Sequence, residues 1–136
     1  MTSESTVRIA GAVTGLTIGV VSLSVAYYGL FNLSPFFFIP VWLTISGLLH
    51  DYVIESKFLS RVPAPLNSCI FWAASFPIYK AIFDIASVNI FSYNITQFLS
   101  VLLWWVIAGF MFGIPFFMLS NYASKLINII MRMKRR

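Results

Sequence analysis

Nine Lys or Arg and four Asp or Glu, thirteen formal charges in all, punctuate a chain of 136 residues, and only Lys80 and Asp84 fall inside its long apolar runs. Such runs restrict the fold more than any motif does. Crossing the ~30 Å hydrocarbon core of a bilayer takes about 20 residues of α-helix, and within that core a backbone has to satisfy its own hydrogen bonds. Sixty per cent of the residues are hydrophobic, 10% are charged, and the mean hydropathy is +0.89. A water-soluble domain carries roughly 25% charged residues, so this balance points to lipid as the main solvent.

Four apolar segments emerge, bounded by proline, asparagine, serine and charge. The first runs over 9–31 without a charge, and Asn32, Ser34 and Pro35 after it read as a tight hairpin. Ser34 suits an N-cap and Pro35 the first helical position, which predicts a second span over 35–49, bent at Pro40. The apolar pattern continues through Tyr52, Val53, Ile54, Phe58 and Leu59 among His50, Asp51, Glu55 and Lys57, as a helix projecting into the interface would. Pro63 and Pro65 then stop it. The third span is predicted over 66–86 with Pro77 inside, and the fourth over 95–119 with Pro115 near its end; residues 87–94 form a short uncharged loop between them. Over 120–136, Tyr122, Leu126, Ile129, Ile130 and Met133 share one helical face, opposite Lys125, Asn128, Arg132 and Arg135. That is the pattern of an amphipathic basic helix. The expected fold is therefore a single all-α integral membrane domain over 1–136, with four transmembrane helices and a C-terminal amphipathic basic helix.

Orientation follows from the basic residues, which concentrate on the cytoplasmic side of membrane proteins. With four spans, Arg8, Lys57, Arg61, Lys125, Arg132, Lys134, Arg135 and Arg136 share one side and the two opposite loops carry none. Both termini are expected in the cytoplasm or an equivalent matrix or stroma, in the cell membrane or an energy-converting organelle membrane. The first run exceeds a typical signal-peptide core and follows Glu4 rather than a strongly basic start, so it reads as a retained span. The net charge of +5 does not imply nucleic acid: Lys125, Arg132, Lys134, Arg135 and Arg136 cluster directly after a span. A cluster so placed reads as contact with anionic lipid headgroups, with topology enforcement alone or docking on an acidic partner subunit as the other readings.

Gly11, Gly15 and Gly19 form two overlapping G-x-x-x-G steps in the first span, and Gly109 and Gly113 form one in the fourth. Glycine lets helix backbones approach closely in lipid, where van der Waals contact takes over from the hydrophobic effect. These faces are expected to carry helix contacts, within the chain or with another subunit. Chemical motifs are sparse. Cys69, the single cysteine, has no partner for an intrachain disulfide. His50, Asp51 and Glu55 lie within two helical turns, but a catalytic zinc usually takes three protein ligands and no H-E-x-x-H pattern exists; the set reads as an interfacial polar turn, and no metal is expected. No nucleophile elbow, P-loop or dinucleotide fingerprint is found. Neither an enzyme activity nor a cofactor is expected. Trp104 and Trp105, near the middle of the fourth span, read as helix packing or as contacts to a quinone, pigment or lipid tail. Two N-x-[ST] sequons, at Asn32 and Asn94, abut the membrane, so glycosylation is not expected.

Lys80 and Asp84 stand one helical turn apart, in the outer half of the third span. With that span centred near Phe76, they lie roughly 6 Å and 12 Å from the midplane. An ionisable pair at such depth is by default a candidate site. It reads as a lysine snorkelling beside an interfacial acid, as a polar contact to a neighbouring subunit, or as part of a transport pathway. Two functions are compatible with the whole pattern. One is a noncatalytic accessory subunit of a larger membrane complex, such as a respiratory, photosynthetic or membrane-oxygenase assembly, partnered by lipids and other subunits. The other is a small homo-oligomeric transporter or channel using Lys80 and Asp84, although the first span lacks the acidic residue that a small four-span exporter needs.

Overall fold

The computed structural model describes residues 3–29, 37–86 and 94–133, with side chains from Ile9 onward. Helices α1 (Ser3–Tyr28), α2 (Ile39–Ile54), α3 (Leu66–Ala86) and α4 (Ile95–Met133) follow one another, with a short 3-10 turn at Leu59–Arg61 between α2 and α3 and no strand among the described residues. Three segments, Ile9–Tyr28, Leu66–Ala86 and Ile95–Met133, are long and apolar enough to cross a membrane. Helix α2 is apolar but has 16 residues, about 24 Å of axis, short of the ~30 Å core.

Two boundaries depart from the sequence-based expectation. Pro40 lies in the first turn of α2, after an N-cap at Phe38, so it starts the helix where a missing N–H costs nothing instead of bending it. Thr44 Oγ1 donates to the Pro40 carbonyl at 2.6 Å and closes that turn. The helix then continues through Asp51 to Ile54. The hairpin residues Asn32, Ser34 and Pro35, like loop residues 87–93, lie outside the described residues. The second departure is α4, which runs unbroken for 39 residues. Residues 120–133 contain neither Gly nor Pro, so nothing separates the basic segment from the span as a helix of its own.

The helices form two antiparallel hairpins joined chiefly through α1 and α4. Along the first hairpin, Gly11, Gly15 and Gly19 face Gly47, Leu43 and Pro40 in turn; along the second, Gly109 and Gly113 face Trp72 and Cys69. A Cβ built on any of these five glycines would overlap the opposing helix, mostly its backbone. Both seams therefore depend on glycine as a shape. Between the hairpins lies an aromatic core in which Trp72 and Phe116 are fully buried, beside Leu43. Trp72 meets Phe112 edge-on at 4.9 Å and Phe116 at 4.6 Å between ring centres, within the range where offset and T-shaped pairs are favourable. Helices α2 and α3 touch only along part of their length, which leaves a cleft on that side. Large hydrophobic side chains are exposed on all four helices, as a lipid-facing surface requires.

Candidate functional site

Polar side chains converge where the C-terminal end of α2 meets the N-terminal end of α3. His50, on the last turns of α2, is 1% exposed and packs among the rings of Phe71, Trp72 and Phe116 at 5.2, 6.1 and 4.9 Å. Its Nδ1 lies 2.8 Å from Asp51 Oδ1 and its Nε2 lies 2.8 Å from Ser68 Oγ. Ser68 Oγ in turn donates to the Gly113 carbonyl at 3.0 Å, and Ser68 N–H donates to Asn67 Oδ1 at 2.8 Å. The Asp51 carboxylate sits against α1 at Gly11, whose close approach is to the Gly47 backbone. One node thus ties together α2, α3 and α4 and rests on α1.

Hydrogen-bond accounting assigns roles within it. Ser68 has one hydroxyl proton and directs it at Gly113, so towards His50 it accepts, and Nε2 donates. Nδ1 and Asp51 Oδ1 make the second hydrogen bond of the ring. A buried hydrogen-bonded pair avoids the desolvation penalty that either group would meet alone. The arrangement locks three helices in register.

This corrects the reading of His50 as part of an interfacial polar turn. The histidine is core, because α2 extends to Ile54 and the glycine seams bring all four backbones in around it. Glu55, grouped with it on sequence spacing, caps α2 and is exposed. Ser68 and Asn67 drew no attention in the sequence, since two small polar residues opening an apolar run look like an ordinary helix start. Their partners are 18 and 45 positions away from Ser68, and no local pattern reveals that.

Lys80 and Asp84 form an ion pair along α3. Asp84 is 1% exposed, and its Oδ2 has no hydrogen-bond partner among the described residues. The carboxylate is thus enclosed by protein. Two other buried atoms share that condition, Asp51 Oδ2 and Trp72 Nε1, both beside the node. Removing one partner of a buried pair leaves an uncompensated charge, at about 3 kcal/mol or more. Lys80→Met is accordingly expected to destabilise the protein by about that much, whereas Asp84→Asn, which leaves Lys80 able to snorkel, costs about 1 kcal/mol. Unfolding in mixed micelles compares the two; equal losses would show that Asp84 does not depend on Lys80.

The remaining sequence-selected residues are dispersed. Trp105 turns inward against Phe76 and Tyr79, while Trp104 is 68% exposed on the outer face of α4. The tryptophan pair is split between core and outer surface. Cys69 is buried on the α3 seam opposite Gly113. Lys125 and Arg132 are exposed on the far part of α4; Lys134, Arg135 and Arg136 lie outside the described residues. Neither a family model, a curated protein nor a solved structure matches the chain.

Proposed function

We propose that this protein is a noncatalytic accessory subunit of a larger membrane complex, inserted as four spans with both termini on the cytoplasmic side or its matrix or stromal equivalent. The observation that carries this reading is the length of α4. Its 39 residues extend about 58 Å, and about 20 of them suffice for the hydrocarbon core. The remainder continues as the same helix on the side to which the basic residues assign the termini. Along it Tyr122, Leu126, Ile129, Ile130 and Met133 form an apolar face that the chain leaves open, with Lys125 and Arg132 opposite. An amphipathic helix presenting anchors at this spacing is a common docking element for a partner groove or helix. The short α2, the glycine seams and the packed aromatic core support a structural role, in which rigidity matters more than a pathway through the bundle.

Extraction in mild detergent followed by a native gel and mass spectrometry tests the reading. The 15.4 kDa chain is expected in an assembly with other subunits, and deletion of residues 120–136 is expected to release it. Migration of the intact chain as a monomer or pure homo-oligomer overturns the proposal.

A further inference from the structure

We propose that the cleft between α2 and α3 holds one acyl chain of an anionic phospholipid, whose phosphate is bound by Lys57 and Arg61. Two adjoining cavities of about 440 and 350 Å³ occupy this cleft and share Trp42 and Ile45. The outer one is walled by Phe38, Tyr79 and Phe83, and the inner one by Leu49, Phe58 and Ile70. Measured along α3, the lining from Ile70 to Ala86 extends about 24 Å, most of the depth of the ~30 Å hydrocarbon core. That shape suits one long chain better than a compact ligand. Its rim residues Val41, Ile45, Ile78 and Ile82 are exposed, so the cleft opens sideways, in the direction from which a lipid arrives.

The floor is prepared for an apolar occupant. Trp42 Nε1 donates to Ser75 Oγ at 3.0 Å, and Ser46 Oγ lies 3.1 Å from the same oxygen. These polar groups satisfy one another across the cleft, so a hydrocarbon chain laid over them strands no donor. Chain burial alone gives little discrimination, because lipid tails are as apolar as the groove. Selectivity has to come from the headgroup. At the inner end, Phe58 and Leu59 line the cavity, and Lys57 and Arg61 flank them in sequence. Both cations are exposed and make no ion pair among the described residues. Two unpaired cations on the segment that supplies the lining residues Phe58 and Leu59 favour a headgroup of net negative charge over a zwitterionic one. The basic tail is a separate surface, carried by α4.

Native mass spectrometry of the purified full chain, titrated with phosphatidylglycerol or phosphatidylcholine of identical chains, tests this. One phosphatidylglycerol per chain is expected, retained at least tenfold better than phosphatidylcholine. Lys57→Gln with Arg61→Gln is expected to abolish the preference, and Ala74→Trp, which fills the inner cavity from an exposed position, is expected to abolish retention. Lys125→Gln with Arg132→Gln is expected to leave both intact. Glycerol phosphate, which has the headgroup chemistry and no chain, is expected not to compete. Equal retention of the two lipids, loss of preference only in the tail variant, or competition by glycerol phosphate each overturns the proposal. The exposed Lys57 and Arg61 substitutions keep the test decisive even where Ala74→Trp folds poorly.

Discussion

Replacing Gly15 with leucine is expected to pry α1 from α2 and to destabilise the protein by about 3 kcal/mol, at the top of the range for overpacked sites. The reason lies in what the new side chain meets. A Cβ at position 15 overlaps the Leu43 carbonyl, and the same close approach recurs one turn away on each side, at Gly11 against Gly47 and Gly19 against Pro40. Backbone does not swing aside as a flexible side chain does, so relief requires separating the whole hairpin, with loss of contact along the seam. Gly15→Ala is expected to fall between wild type and Gly15→Leu. Val20→Leu, on the exposed face of the same helix, is expected to be neutral. Unfolding in mixed micelles reads all three; a Gly15→Leu variant as stable as Val20→Leu would rule out the seam as a close-packed contact.

The second large effect belongs to the buried node. Asp51→Leu removes the hydrogen-bond partner of His50 Nδ1 and leaves that nitrogen unsatisfied among Phe71, Trp72 and Phe116, which is expected to cost up to about 3 kcal/mol. Asp51→Asn keeps an oxygen at the same place and is expected to cost about 1 kcal/mol. The double variant His50→Leu with Asp51→Leu is expected to be more stable than Asp51→Leu alone, because removing both partners leaves neither one stranded. This ordering is the signature of coupling. Strict additivity of the two single substitutions would show that the 2.8 Å contact carries no stability of its own.

Much of the architecture is legible in the sequence because lipid imposes a simple rule on it. Charge is expelled from segments that must satisfy their own backbone, so apolar run length marks the helices: α3 occupies 66–86 and α4 begins at 95. Glycine spacing marks surfaces of close approach for a similar reason, since only a missing side chain permits the contact. Where the reading departs from the structure, a nearby residue served two competing purposes. Pro40 reads as a bend when the span is taken to start at 35, and it belongs to the first turn because α2 begins at Ile39, one residue before it. The amphipathic end of α4 reads as a separate surface helix, yet no residue there interrupts the backbone hydrogen bonding.

The sequence by itself determined the solvent, the helical class, the uneven distribution of basic residues and the faces on which helices can touch. Those properties depend on composition and on repeats of three and four residues, which are local. Only the tertiary structure decided that the α1 glycines face α2 and the α4 glycines face α3, that His50 is core, and that α2 and α3 part to leave a cleft. Each of these joins residues from different helices, such as Ser68 with Gly113 across 45 positions. Contacts at that separation are set by how four backbones pack together, and the spacing of residues along any one of them carries no record of it.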